Sequence, residues 1–541
     1  MKKLALLVSG IALAGLLLSC NEKKSSTSAG SEIHVQVGPS PETIDPALNS
    51  TVDGANMILH AFEGLLKFDK DNAIVAGLAE KWEQSKDGLT WTFHLRPNIK
   101  WSDGSPLTAE DFVYSWRRVA DPLTAAPYGY DLLNMVVGFD EVSSGKSDAS
   151  KLGVEAPDEN TFVVHLVNPC IYFEKIAAFA VLVPVQKAAI EKAGDFWATI
   201  PESYVCNGPY YMSEFTDGSQ IVFLKNPNYW DAANVTFDKI VWHLIEDANT
   251  SYTAYNQGEI QLIKDVPTEE IPSLLNNSEF HIEPIMGTYY VTFNTQKAPF
   301  NNSRVREALS LAIDRKHVAS TIMQGTYTPA KNFVGPGVSD VALGSSFESV
   351  TTKNYGDHFS TENYEADLTR AKELLAEAGY PNGEGFPSFE YLTNDAGYHK
   401  SVAEYLQAAW AELGLTMTVN IQEWKTVSAD RRAGNFDVAR NGWVYDWDDP
   451  SNMINLLETG NGNNDGKYSS AEFDSFVRLA RETTDLPSHY NYLHQAEQVL
   501  LKDAAMAPVA YYNEFWLQKP NLKGTWHSPY GYWYLMYGKL E

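Results

Sequence analysis

Phe436-Asp437-Val438-Ala439-Arg440-Asn441-Gly442-Trp443-Val444-Tyr445-Asp446-Trp447-Asp448-Asp449-Pro450 gathers aromatic rings around an acidic group late in a chain of 541 residues. Phe436 to Val438 reads as a short buried strand and Gly442 to Asp446 as an extended segment, with Pro450 stopping further pairing. A carboxylate between Trp443 and Trp447 suits a cation held in a partly desolvated cleft, because Coulomb attraction and the ring faces act in the same direction. The same residues also fit an aromatic core strand that ends in a solvated acidic turn. Asp448 and Asp449, standing before a proline, read as part of such a turn.

At the far end of the chain, Lys2 and Lys3 precede an apolar run from Leu4 to Leu18, which closes in Leu17-Leu18-Ser19-Cys20. This is the pattern of a signal peptide over residues 1–19 with a lipobox, and Cys20 stands where the lipid is attached. The run is too short to span a bilayer, and no later segment is long and apolar enough to do so. Residues 20–31 are polar and low in complexity, as a flexible tether is. The expected place is therefore the bacterial cell envelope, on the extracytoplasmic side, with membrane contact only through the anchor.

Hydrophobic residues make up 44% of the chain and aromatic ones 12%. That is enough for real cores, and the length suggests about two to four domains. The formal net charge of -28 repels nucleic acid and anionic headgroups, which excludes both as direct partners. Of three cysteines one is the anchor, and the sequence leaves open whether Cys170 and Cys206 meet. No Gly-x-Ser-x-Gly, His-Glu-x-x-His or paired Cys-x-x-Cys is present, so neither nucleophile nor zinc chemistry has a motif.

Between these ends, Ile33 to Val37 alternates like a strand, Met57 to Leu66 reads as a helix, and Thr90 to Leu95 as a strong strand. Thr108 with Asp111 three residues on forms a capping box with a shorter acid, which predicts a helix from Ala109 to Val119. Val291 to Phe293 and Val419 to Ile421 read as strands. Val305 to Ala312, Leu368 to Ala378, Val402 to Leu413 and Tyr490 to Leu501 read as amphipathic helices.

The specific marks, in order, are Phe62-Glu63-Gly64-Leu65, Leu78-Ala79-Glu80-Lys81-Trp82, Trp91-Thr92-Phe93-His94-Leu95-Arg96, Lys100-Trp101-Ser102-Asp103-Gly104 and Asn207-Gly208-Pro209-Tyr210. They continue with Phe300-Asn301-Asn302-Ser303-Arg304-Val305-Arg306, Leu374-Leu375-Ala376-Glu377-Ala378-Gly379-Tyr380, Gln422-Glu423-Trp424-Lys425 and the 436–450 stretch. Together they closely resemble the peptide-binding (peptide/nickel) cluster of extracellular solute-binding proteins, the receptors of ABC-type oligopeptide importers. The resemblance covers essentially the whole mature chain. It implies an α/β protein of two lobes and three structural domains, with a ligand cleft between the lobes. Residues 32–62, 187–287 and 505–541 would form a discontinuous first lobe, 63–186 an inserted second domain, and 288–504 the other lobe, with two chain crossings as the hinge.

The resemblance also implies a site. The ligand would be an extended oligopeptide whose free amino group meets Asp446. Its backbone would pair with Gly442, Trp443, Val444 and Tyr445 on one side and Ser50, Thr51 and Val52 on the other, with Tyr128 adding a hydroxyl. Arg431, Arg440 and His399 are candidates for the peptide carboxylate, arginine because its planar fork meets a carboxylate in two parallel bonds. Arg440 also fits a salt bridge to Asp437, and His399 a surface histidine. The lysine that some members add has no counterpart near Ile322-Met323-Gln324-Gly325. The disulfide of some members is missing, since Gly287 and Val444 stand at its positions.

The partners implied are a peptide and a membrane permease, with the chain itself a monomer. No cofactor and no catalytic residue are expected. Two other readings compete: an oligosaccharide receptor of the same fold, and an exported glycoside hydrolase using Asp446 with a second carboxylate. A sugar receptor would stack rings on tryptophan without needing a cation site, so Asp446 with Arg440 favours peptides. Asn461-Gly462-Asn463-Asn464-Asp465-Gly466 with Glu472 has the spacing of a calcium loop but lacks the entering helix and the first Asp. No metal is therefore expected there.

Overall fold

Burial alternates along Thr90-Trp91-Thr92-Phe93-His94-Leu95, where Trp91, Phe93 and Leu95 face the core. A period of two makes this segment a strand, and the same logic builds most of the molecule. The computed structural model describes residues 31–341 and 345–541. The signal peptide, Cys20 and all of the tether except Ser31 lie outside the described residues.

In chain order the principal strands are β1 (Glu32–Gln36), β2 (Leu66–Phe68), β3 (Ile74–Ala76), β4 (Ala79–Gln84), β5 (Thr90–Leu95), β6 (Val154–Asp158), β7 (Thr161–His165), β8 (Tyr210–Thr216) and β9 (Gln220–Lys225). They continue as β10 (Lys239–His243), β11 (Leu262–Ile263), β12 (Phe280–Phe293), β13 (Thr328–Pro329), β14 (Phe389–Asn394), β15 (Met417–Gln422), β16 (Val438–Val444) and β17 (Met506–Gln518). Eleven of them form one sheet in the order β15-β14-β16-β12-β17-β11-β1-β10-β9-β8, with β13 added on β17. A separate four-stranded sheet has the order β4-β5-β7-β6.

The long strands β12 and β17 join the two halves of the main sheet. Their register breaks between Pro284 and Thr288 and again between Tyr289 and Tyr290. Gly287 lies in the first break, where a Cβ would stand 2.6 Å from Trp443 O and 2.9 Å from the Tyr512 ring. No side chain fits between three strands at that approach, so glycine is required.

Helices cover the sheet with apolar stripes spaced three and four residues apart. Val305, Ala308 and Leu309 are buried in the helix Ser303–Leu311, Leu368, Ala371, Leu374 and Leu375 in Tyr364–Glu377, and Val402, Leu406, Ala409 and Trp410 in His399–Ala411. Trp410 Nε1 donates to Leu309 O at 2.9 Å, so its buried indole N–H is satisfied. Helix α2 (Ala109–Ala120) begins as its sequence dictates, with Thr108 N donating to Asp111 Oδ2 at 2.8 Å.

Three expectations are corrected. The helix read at Met57 to Leu66 is instead α1, Val52–Ala61. Thr51 is extended and caps it by accepting from Gly54 N at 3.4 Å, and Leu66 already belongs to β2. The two extended pieces read at 436–438 and 442–446 are one strand, β16, because Asn441 stays in register opposite Tyr290.

Nor are Asp448 and Asp449 a solvated turn. Asp448 accepts from Ser339 N at 2.7 Å and Ser339 Oγ at 2.6 Å, and its carbonyl accepts from Lys175 Nζ at 2.6 Å. Asp449 is 2% exposed and pairs with His489 Nε2 at 3.1 Å. His489 Nδ1 meets Ala480 O at 2.8 Å, so the turn after β16 is anchored on two helices, Ala471–Glu482 and Leu486–Lys502. Local composition suggested an exposed turn; tertiary partners bury it.

The pair shapes stability against pH. Burial acts to raise the Asp449 carboxyl, but the His489 charge and hydrogen bond outweigh it and hold it below the ordinary 3.8. Burial acts to lower His489, but Asp449 outweighs it and holds it above the ordinary 6.5. A depressed acid contributes above its unfolded value and a raised base below its own, so the pair contributes fully between 3.8 and 6.5. Asp449→Ala should cost about 3 to 5 kcal/mol in urea unfolding within that window. The loss should shrink as pH rises through the raised His489 value. A difference under about 1 kcal/mol would return Asp449 to an ordinary surface turn.

Candidate ligand-binding cleft

β16 has a full partner on one edge and half a partner on the other. It runs antiparallel to β12 from Val438 to Val444, whereas β14 pairs only with Val438 and Ala439. From Arg440 onward the second edge borders a cavity of about 930 Å³. Backbone groups alternate sides along a strand. Tyr445 N donates to Met286 O at 2.8 Å, so Val444 and Gly442 turn theirs to the open edge. There Asn441 Oδ1 meets Gly442 N at 2.9 Å, and Arg440 O accepts from Arg431 Nη1 at 3.1 Å. Gly442 is needed as well, since a Cβ would stand 2.0 Å from the Tyr512 hydroxyl. Tyr445 is fully buried and outside the cavity wall, which corrects its assignment to the site.

Just past the strand, Asp446 reaches the cavity and is 5% exposed. Oδ1 accepts from the Tyr128 hydroxyl at 3.4 Å, and Oδ2 from Asn452 Nδ2 at 3.2 Å. Among the described residues it makes no ion pair. Burial pushes its carboxyl up to about 7; Asn452, Tyr128 and Tyr532 pull down by hydrogen bonding, while Asp131 nearby pushes up. Asp131 is itself raised to about 6 by burial, against hydrogen bonds from Asn461 and Asn463. Tyr128 thus serves Asp446 directly. The Tyr128 and Trp443 rings lie 5.8 Å apart, and Trp447 stacks on Tyr172 at 5.9 Å.

The other end of the open edge is cationic. Arg440 Nη2 donates to the Tyr512 hydroxyl at 3.2 Å, and its guanidinium lies 5.4 Å from both the Tyr289 and Trp424 rings. Its Nε has no hydrogen-bond partner, and among the described residues no carboxylate pairs with it. The alternative pair with Asp437 is not formed, because Asp437 meets Lys297 at 3.1 Å. Arg431 is more committed: Nη1 donates to Asn441 Oδ1 at 2.5 Å and Nε lies 3.6 Å from Asp465 Oδ2. His399 opens its helix at the cavity wall rather than on the surface, and its Nδ1 is unpartnered. Burial, then Arg440 and Arg431, push it well below the ordinary value, so it presents a neutral imidazole and not a cation.

Ser50, Thr51 and Val52 line the opposite wall at the start of α1. Thr51 O is already used by Ala55 N and Asn49 Nδ2. Ser50 Oγ accepts from Arg432 Nη2, and Arg432 lies 3.6 Å from Glu42, so both contacts cross the cleft. Cys170 and Cys206 are buried free thiols, both pushed up to about 12 by burial. In the loop read against calcium, Asn461 and Asn463 donate to Asp131 at 2.6 and 3.0 Å, and Asn464 binds backbone on both sides.

Sequence reading did not single out Asn452, Asp131, Tyr512, Tyr532 or the ring role of Trp424. Trp424 lay within a quoted motif. The others reach the site from other elements and carry no local pattern.

A mixed main sheet, an apolar helix cover and a large cleft bordered by an open strand edge define the two-lobed α/β class of periplasmic binding proteins. The chain belongs to the bacterial extracellular solute-binding proteins, family 5, whose model matches residues 73–465. It is 36% identical over 526 residues to the periplasmic oligopeptide-binding protein OppA of Salmonella typhimurium, covering 94% of each chain. The structure of Haemophilus influenzae OppA in complex with RPPGFSPFR matches with a TM-score of 0.85 at 32% identity, covering 95% of this chain and 99% of that one. The Escherichia coli murein tripeptide binding protein MppA matches at 0.87 and 31%, over 95% and 99%. Among the described residues no helix is long and apolar enough to cross a membrane.

The Asp446 carboxyl gives a direct stability test. Its folded value lies above the ordinary 3.8, so the native state holds the extra proton between 3.8 and about 7, and stability falls as pH rises through that range. An amide at 446 still accepts from Asn452 Nδ2 through its oxygen, turns its NH2 to donate to the Tyr128 hydroxyl oxygen, and never ionises. The melting temperature of ligand-free Asp446→Asn should therefore rise relative to wild type from pH 5 to pH 8. Parallel curves would mean that Asp446 is solvated.

Proposed function

We propose that this protein captures extended oligopeptides and delivers them to the permease of an ABC importer. One observation carries the reading. Among the described residues, a carboxylate without a cation and a guanidinium without a carboxylate stand at opposite ends of an open strand edge. A zwitterionic chain is the ligand that satisfies both ends and pairs with the edge between them. Asp446 receives the ammonium, Arg440 the carboxylate, and Gly442 and Val444 the ligand backbone, with Ser50, Thr51 and Val52 on the opposite wall. Arg431 and His399 act as secondary contacts.

Six residue steps of about 3.3 Å separate positions 440 and 446, or roughly 20 Å. Allowing one hydrogen-bond gap at each end, a peptide of about four residues spans them. Backbone pairing gives affinity without reading side chains, so varied sequences fit the same edge. The names of the relatives, oligopeptide-binding and murein tripeptide-binding proteins, support this ligand class. An oligosaccharide would leave both charges unpaired.

The reading extends to the envelope. The mature chain is held by a lipid on Cys20, acts as a monomer, and closes its lobes about the β12 and β17 crossings. The register breaks at Pro284 to Tyr290 and the Arg432 contacts to Ser50 and Glu42 support such closure. Residues 32–62, 187–287 and 505–541, then 63–186, then 288–504 remain the three domains that would move.

Asp446→Ala should leave a bound ammonium unpaired, at about 2 to 5 kcal/mol. That is roughly 30-fold to several thousand-fold in affinity for a free tetrapeptide. Acetylating the peptide amine should cost wild type a similar factor and the variant little, since either change removes the same pair. Calorimetry in which wild type binds free and acetylated peptides equally would refute the assignment.

A further inference from the structure

We propose that Asn452 is the positioning residue that makes Asp446 selective for an amine, by fixing the carboxylate and the Trp443 ring as one unit. The inference rests on the proposed role of Asp446 and goes beyond it to a residue that need not touch the ligand. Asn452 Oδ1 accepts from Trp443 Nε1 at 3.0 Å and from Asp446 N at 3.0 Å, and its Nδ2 donates to Asp446 Oδ2 at 3.2 Å.

The orientation of this amide has no alternative. An indole N–H and a backbone N–H only donate, so both require the amide oxygen. The NH2 group is then directed at the carboxylate. Asn452 is 5% exposed and lies in the short helix Ser451–Ile454, directly after the turn anchored by Asp449. Three bonds from one side chain thus tie the end of β16 to the acid beyond it.

Two consequences follow. One carboxylate oxygen is held against rotation by Asn452, and the other accepts from Tyr128. The donated bond also favours the ionised form, against burial and the Asp131 charge that oppose it. The groups acting on Asp446 from neighbouring elements are Tyr128 and Asp131 around the helix Gly129–Leu133 and Tyr532 from the C-terminal segment. Asn452 is the nearby group that donates from a rigidly fixed direction.

The test is calorimetry of the full mature protein with one tetrapeptide, free and N-acetylated, from pH 5 to 8 in buffers of different ionisation enthalpy. The wild type should release a proton on binding the free peptide below about pH 7, as Asp446 ionises to meet the ammonium. Asn452→Ala should weaken the free peptide roughly tenfold and move the midpoint of proton release up by about one pH unit, with the acetylated peptide within about twofold. Asn452→Asp keeps both acceptor bonds but sets oxygen against oxygen, so it should move the midpoint up further. It carries the test if the alanine variant fails to fold. A purely structural role predicts equal losses for both peptides and an unmoved midpoint, and either result would overturn the proposal. If wild type itself fails to distinguish the two peptides, the role of Asp446 falls, and this proposal with it.

Discussion

Asp446 is 5% exposed and makes no ion pair among the described residues. Removing a charge from water without compensation costs several kcal/mol, and the structure meets that cost with neutral groups only. Tyr128, Asn452 and Tyr532 supply hydrogen bonds, while burial keeps the carboxyl near 7, close to neutralising itself. The surroundings then have to be rigid. The turn that follows is bound by Asp448 to Ser339 and Lys175 and by Asp449 to His489, so the acid cannot swing out to solvent.

The open edge of β16 is the second cost carried for the same purpose. An unpaired strand edge is a hazard on a surface. Here it lies inside a cleft, where other chains cannot reach it side-on. Gly287 and Gly442 let Tyr512 and neighbouring strands close up behind it. Tyr512, Tyr289 and Trp424 hold the Arg440 guanidinium without a neutralising carboxylate. Charge at both ends, with the Val444 backbone turned to the open edge between them, fits a chain with two charged termini.

Much of this was legible in the sequence because it is local. The β5 alternation, the Thr108 and Asp111 cap and the helix stripes depend on neighbours within four residues. The motifs that resemble the solute-binding family single out Asp446, Arg440 and the stretch that forms β16. What was missed is tertiary. Asp449 looks like a turn residue until His489 arrives from a helix forty positions on, and His399 looks like a surface base until the fold sets it, half-buried, in the cleft wall. Cys170 and Cys206 lie in separate surroundings and stay as thiols. Asn452 has no pattern at all, since its three bonds exist only once the strand end and the following helix fold against each other.

A cleft that holds a short zwitterionic chain is tested most directly by mass spectrometry of what the protein retains when purified from its host without denaturation. The retained material should be a mixed population of short peptides with free amino termini, centred near four residues and released by acid as Asp446 protonates. A single saccharide retained instead, or peptides whose amino termini are uniformly blocked, would contradict it.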